Sequence, residues 1–216
     1  MTDFSVTAAK IGPTLADETA MLLSRAYTGE RRVGRYTQEE LERWRHDIGQ
    51  ARLGYSPMPA DWLQRFPTMR NLARPPMARE ESQHFYSRTG TTLAGHVSVF
   101  PREFSVAGGP PFPVAFLEDV ATHPQHEGEG LGSRLVEAAS RWAKLNGYGL
   151  CGLSTGIPQF YERLGWVSWR GRVHYTGPDG ALVGPWRAMV IALNDEAESQ
   201  LKEWLDQPLN AGLRGG

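Results

Sequence analysis

Two acidic side chains stand side by side in the apolar stretch Phe116-Leu-Glu-Asp-Val-Ala-Thr122, where a strand built only for packing needs neither. A carboxylate so placed is a candidate proton acceptor, and its plainer role is pairing with an arginine. Strand alternation predicts that Glu118 and Asp119 face opposite sides of a sheet. Pro124 then stops the ladder, and Gly128, Gly130 and Gly132 alternate with Glu129 and Leu131 ahead of a helical pattern. A turn of this kind lets a ligand approach the backbone and gathers N–H groups at a helix N-terminus, which favours phosphate. The spacing Gly-x-Gly-x-Gly without a following lysine fits neither a Walker A loop nor a dinucleotide fingerprint, and on its own it serves equally as a tight turn. His123 and His126 flank the turn with no third ligand nearby, so no metal site is expected. The single cysteine, Cys151, lies in an apolar run and reads as a small buried hydrophobe.

The elements that must position these residues follow from periodicity. Phe116 to Thr122 is a strand, and Leu131, Leu135, Ala138, Trp142 and Leu145 mark the buried face of the helix after the glycines. Upstream, residues 4–10 suit a short edge strand and Leu15 to Tyr27 an amphipathic helix. Thr37 and Glu40 form a capping box that opens a second helix to about Gly49. Residues 50–80 hold five prolines among aromatics and methionines, an ordered insertion that is a candidate lid or homodimer contact. Gln83 to Arg88 and Thr91 to Arg102 pair around Thr89-Gly90, and Tyr148 to Ser154 is a strand parallel to the central one through the crossover helix. Pro158 and Gly165 bracket a short helix. Trp166 to Tyr175 and Trp186 to Leu193 read as a closing hairpin, Asp195 to Leu205 as a polar helix, and Leu209 to Gly216 as a frayed end. The order predicts an α+β fold in one domain over 1–216.

Composition narrows the partners. With 40% apolar and 22% charged residues the chain is globular, and a formal charge of −1 without a basic run gives no reason to expect nucleic acid or a membrane surface. No stretch is apolar for the roughly 18 to 20 residues a span needs, and no secretory leader is legible, so a cytoplasmic setting is expected.

Pro124, the Gly128-x-Gly130-Leu131-Gly132 run and Phe160-Tyr161-Glu-Arg-Leu-Gly165-Trp166 resemble the coenzyme A-binding and C-terminal motifs of the GNAT superfamily of acetyltransferases, over most of residues 84–193. Phe116 to Ala121, Leu153-Ser-Thr and Arg163 to Trp169 look most like the aminoglycoside N-acetyltransferases. The resemblance implies a mixed central sheet of about six or seven strands, flanked by helices and splayed where acetyl-CoA enters. It implies a primary amine acceptor, with aminoglycosides among the candidates, attacking the thioester directly in a ternary complex. Val120, Ala121 and Thr122 would meet the pantetheine arm through their backbone. Glu127, Gly128, Glu129, Gly130, Leu131, Gly132 and Ser133 would hold the pyrophosphate, with no metal.

Such a transfer needs a base for the amine, a donor to the carbonyl oxygen and an acid for the leaving thiolate. The resemblance assigns Glu118 as the base, a backbone N–H near Val120 as the oxyanion donor and Tyr161 as the acid, and it places Glu30, Glu118, Asp119 and Ser154 near the acceptor. Where the family's loop begins with arginine or glutamine this chain has Glu127, and Glu129 adds a second negative charge, with Arg134 or Arg163 as candidate compensation. The Asp-Trp-Arg-like ending common in the aminoglycoside enzymes is absent. Two other readings stay open: an N-acyltransferase acting on peptides or moving longer chains, and a sensor domain that binds coenzyme A without chemistry.

Overall fold

The computed structural model describes residues 4–10, 12, 14–15, 18–19, 22–23, 26, 82–176 and 182–213. The expected second helix, the 50–80 insertion, Glu30 and the Gly177 to Gly180 turn lie outside the described residues. The fold is α+β with a mixed sheet. Ten strands lie among the described residues rather than six or seven, because short pieces at the edges and a late strand extend the sheet. The chain groups into two compact, interleaved units: residues 1–97 with 119–135, and residues 98–118 with 136–214.

In the first unit, β1 (Thr7–Ala9) lies antiparallel on β2 (Gln83–Thr89), with Thr7 opposite Tyr86 and Ala9 opposite His84. Gly90 turns the chain at φ +60 into β3 (Thr92–Val106), which starts in this unit. Positions 14, 15, 18, 19, 22, 23 and 26 are helical, and Leu15, Leu22 and Leu23 pack with Leu93 and Ala121. Leu15 and Leu22 belong to the expected apolar face, whereas Leu23 was not among the expected core positions. Helix α1 (Leu131–Leu145) begins here, and Leu131 and Leu135 close on Gly95, where a Cβ would fall 2.7 Å from Leu135 Cδ1. Only glycine lets the helix sit so near β3.

The second unit orders its strands β6-β9-β5-β4-β3-β10-β7-β8. They are β4 (Phe112–Thr122), β5 (Leu150–Leu153), β6 (Val167–Ser168), β7 (Val173–Thr176), β8 (Leu182–Trp186), β9 (Met189–Ala192) and β10 (Leu209–Leu213). β5 runs parallel to β4, Ala115 opposite Cys151 and Phe116 opposite Gly152, as a crossover through α1 requires. Helix α2 (Pro158–Glu162) carries its proline in the first turn, and Gly165 turns out of it at φ +84. Helix α3 (Asp195–Trp204) is capped by Asn194, whose side chain accepts from Ala197 N at 2.8 Å. Phe104, Val114, Phe116, Leu150, Val190 and Leu201 anchor the core of this unit.

Three expectations are corrected. Leu209 to Leu213 is not frayed: it is β10, antiparallel to β3 (Leu209 opposite Val106) and parallel to β7 (Leu209 opposite Val173). Leu209 and Ala211 are buried, so the alternate residues of a five-residue segment pack into the core. The closing hairpin is two pieces, β6 on β9 and β7 on β8, because the chain bends at Gly171, where any Cβ would overlap Gln207 O. The buried stripe of α1 is Leu131, Leu135, Val136, Ala139 and Ala143, while Leu145 is 81% exposed. At 3.6 residues per turn this face lies roughly 75° round from the one read off Trp142 and Leu145.

Candidate active site

β4 does not run as a regular strand. Asp119 has φ +51, a left-handed value that aspartate tolerates better than most residues. Burial still alternates through this point, Glu118 partly exposed and Asp119 buried, although the backbone is irregular. Two successive carbonyls are each taken by a side chain of β3: Ser98 Oγ donates to Glu118 O at 3.0 Å, and His96 Nδ1 lies 3.2 Å from Asp119 O. Just past the strand, His123 N donates to Ala94 O at 2.8 Å. Side-chain donors of this kind keep the carbonyls of an irregular strand from being orphaned.

Within the first unit, His96 is the inner member of a buried chain. His96 Nε2 lies 2.9 Å from His84 Nδ1, His84 Nε2 lies 2.9 Å from Ser82 Oγ, and Lys10 Nζ donates to Ser82 O at 2.9 Å. Ser82, His84 and His96 are all fully buried. Burial, then the Lys10 charge, pushes the His84 imidazole down to about 4, so it is neutral at physiological pH. The sequence reading singled out His123 and His126 and not these two histidines. No short-range motif marks them, since they meet only once β2 and β3 are folded together.

The same unit holds the glycine turn. A 3-10 turn (Pro124–His126) is capped by His123, whose Nδ1 accepts from Gln125 N at 3.3 Å. Gly128 and Gly130 both have φ +80 with nothing within 4 Å of where a Cβ would stand, so conformation rather than crowding demands glycine there. Arg134 N donates to Gly130 O at 3.2 Å, and α1 begins at Leu131. The N–H groups of its first turn, Leu131 to Ser133, form the kind of anion site a phosphate takes. Around the turn, Glu129 meets His126 at 3.4 Å, Phe4 packs edge-on to His126 at 5.5 Å, and Arg134 Nη1 donates to Phe4 O at 3.4 Å. Glu129 is thus held against His126, while Arg134 reaches the Phe4 carbonyl. Arg163 lies over the Phe160 ring at 5.9 Å.

In the second unit, Glu118 forms an ion pair with Arg102, whose guanidinium lies 4.0 Å from the Phe116 ring centroid and 5.6 Å from that of Tyr175. The arginine pairing weighed for this acid is therefore real, and the aromatic rings hold the guanidinium in place. Glu118 keeps 22% of its side chain exposed, whereas Asp119 is buried. Tyr161 packs edge-on between Phe160 and Trp166, at 4.8 and 5.8 Å between ring centroids. Burial pushes its hydroxyl up to about 12, which keeps it protonated and able to donate. Ser154 is exposed just past β5. Burial likewise pushes the Cys151 thiol up to about 12, with a smaller opposing effect from Ser140, as befits a structural cysteine. No cluster of metal-binding side chains occurs, and no helix is long and apolar enough to cross a membrane, among the described residues.

Comparison with known proteins meets this arrangement in the same part of the chain. Residues 62–168 match the family profile described as an acetyltransferase (GNAT) domain. Residues 62–168 carry a GNAT acetyltransferase domain. A GNAT-family N-acetyltransferase from Escherichia coli, solved with CoA, shares the fold at 14% identity, over 98% of this chain and 92% of that one, with a TM-score of 0.56. An N-acetyltransferase from Thermoplasma acidophilum, solved with coenzyme A, is 16% identical over 87% of this chain and 99% of that one, with a TM-score of 0.50. A GCN5-related N-acetyltransferase from Kribbella flavida is 15% identical over 78% of this chain, with a TM-score of 0.46, and the chain spans about a third of its length (34%). No curated protein matches the sequence. At these identities the solved structures share a fold and nothing narrower.

Proposed function

We propose that this GNAT chain is an acetyl-CoA-dependent N-acetyltransferase that moves an acetyl group to a primary amine of a small molecule by direct attack in a ternary complex. One observation carries the reading: β4, interrupted at Asp119, leads through two glycines at φ +80 into the N-terminus of α1. A strand with an irregular peptide followed by an anion-favouring turn is a surface for a pantetheine arm and its pyrophosphate, and relatives of this fold have been solved with CoA. Val120, Ala121 and Thr122 take the arm, and residues Glu127 to Ser133 take the phosphates. Glu118, oriented by Arg102, serves as the base through water, and Tyr161 protonates the thiolate.

For the acceptor, an aminoglycoside needs an acidic pocket to meet its several ammonium groups. Of the acids expected to build one, Glu118 is neutralised by Arg102 and Asp119 is buried, which favours an amine of low charge over a polycation. A cytoplasmic setting and a homodimer belong to the same reading, and sedimentation of the purified chain tests the dimer. The ion-paired Glu118 and the enclosed Tyr161 also favour a second reading, a coenzyme A-binding sensor without chemistry.

Thiol release from acetyl-CoA, measured against aminoglycosides, polyamines, amino acids and peptide amines, separates the two. The transferase predicts turnover with one acceptor class, and at least tenfold lower kcat in both Tyr161→Phe and Glu118→Gln. Binding of acetyl-CoA without turnover on any amine would establish the sensor, and absence of binding would refute both.

A further inference from the structure

Arginine–carboxylate pairs usually close as forks, and two of the three among the described residues do. Arg88 gives one N–H to each oxygen of Glu18, and Arg170 does the same to Asp206 through Nε and Nη2. The third pair, in the second unit, is different: Arg102 meets Glu118 through the single bond from Nη2 to Oε1. Ser98 bonds the Glu118 carbonyl and not its carboxylate. Buried side-chain polar atoms without a partner, among the described residues, are the hydroxyls of Thr19, Ser87 and Ser140. No atom of Arg102 or Glu118 is among them, so the remaining edge of the guanidinium and Glu118 Oε2 reach solvent. Side-chain exposures of 12% and 22% agree.

The open pair is nevertheless fixed in place. The guanidinium carbon lies 4.0 Å from the Phe116 ring centroid and 5.6 Å from that of Tyr175, and both rings are buried in the core of this unit. Rings grip the faces of a guanidinium, whereas its N–H groups point outward in its plane, so the grip leaves the edge available. A positive edge and a negative oxygen thus stand next to one another at a partly open surface. An α-amino acid carries the complementary arrangement, with its carboxylate one carbon away from its ammonium group.

We propose that the acceptor is a free α-amino acid, its carboxylate held on the open edge of Arg102 and its amino group set beside Glu118, an inference that rests on the acetyltransferase reading and names its substrate class. The amino group yields a proton to Glu118 through water, and the freed nitrogen attacks the thioester carbon. An N–C bond forms as the C–S bond breaks, and Tyr161 protonates the thiolate, leaving an N-acetyl amino acid and coenzyme A. An amine without a carboxylate displaces water from the Arg102 edge and gives nothing in return, which is how a polar site rejects an analogue lacking one group. A polycation brings positive charge to an arginine and is rejected for the same reason.

The test uses the full chain and thiol release from acetyl-CoA with the twenty standard amino acids. The best of them is then set beside its carboxamide and its decarboxylated amine. The first has a less basic amino group than the acid and the second a more basic one, so basicity cannot lower both. Wild type should show kcat/KM at least tenfold higher for the acid than for either analogue, as loss of a charged hydrogen bond predicts. Arg102→Gln should bring that ratio to within threefold of unity. If Arg102 only orients Glu118, the substitution lowers kcat on all three compounds alike and keeps the ratio, which would overturn the proposal. Should Arg102→Gln fail to fold, Arg102→Lys keeps the charge without the fork, and the ratio should fall at least threefold; an unchanged ratio there also overturns it. Wild type that uses the analogues as well as the acid refutes the amino acid and leaves the transferase standing. If nothing is acetylated, the functional reading fails, and calorimetry with the same amino acids in the presence of coenzyme A still decides the site. At least one should bind wild type tenfold tighter than Arg102→Gln, and equal affinity, or no binding to wild type, refutes it.

Discussion

Acid should weaken the first unit through His84. Its imidazole is expected to titrate near 6.5 in the unfolded chain and near 4 in the folded one, because burial strips it of water and Lys10 opposes a second positive charge. Above pH 6.5 both states hold a neutral ring, and the stability tied to that neutrality is fully present. As pH falls below 6.5 the unfolded state takes up a proton that the folded state refuses until about 4, so stability is lost across that window. A shift of about 2.5 units at 1.36 kcal/mol each limits the loss to about 3 kcal/mol, of which about 2 kcal/mol falls between pH 7.5 and 5. Urea unfolding of wild type and His84→Asn at both pH values isolates this contribution, since carboxylates titrate alike in the two proteins and cancel. The groups facing the ring, Lys10, Ser82 and His96, are present in both. Wild type should lose about 2 kcal/mol more than the variant on going to pH 5. An equal loss in the two proteins would refute a neutral buried His84.

Two further outcomes follow from burial. Leu209→Ala should cost about 2 to 5 kcal/mol in chemical denaturation, since Leu209 is buried between β3 and β7; a cost below about 1 kcal/mol would mean that β10 is not docked in solution. Cys151 should resist a thiol reagent in the native protein at pH 8 and react at once in denaturant, whereas fast native labelling would contradict its enclosure and its raised pKa.

Residue order carried the local part of the fold well. The glycine alternation at Gly128 and Gly130, the proline and glycine around α2 and the parallel β4–β5 crossover were legible because each depends on backbone preferences of a few neighbouring residues. What was not legible depends on partners distant in sequence. The left-handed turn at Asp119 is held by Ser98 and His96 acting around it, and nothing in Leu-Glu-Asp-Val announces it. The Arg102 partner of Glu118 was foreseen as a type and not as a residue, since a pair sixteen positions apart needs the β3–β4 register to be known. Leu131 and Leu135 of the expected α1 face are buried, and the rest was misplaced because Trp142 and Leu145 outweigh Ala139 and Ala143 on any hydrophobicity count. β10 escaped because glycine and asparagine interrupt a short alternation that only Val106 and Val173 complete.

The place of β10 has a consequence for how the chain comes off the ribosome. β3 and β7 become neighbours only through a strand made after every other strand of their unit. From Val106 to Leu209 is 103 residues, so at about 5 to 20 residues per second the Ser105–Val106 end of β3 waits on the nascent chain for its β10 partner for roughly 5 to 20 s. Open edges of that kind recruit other strands, and the risk falls when a chaperone covers them. A nascent chain stalled before Leu209 should therefore be cut by protease at the second unit and protected once Leu213 has emerged. The last strand acts as the latch of the sheet, and the rate at which it is delivered limits how soon the second unit can close.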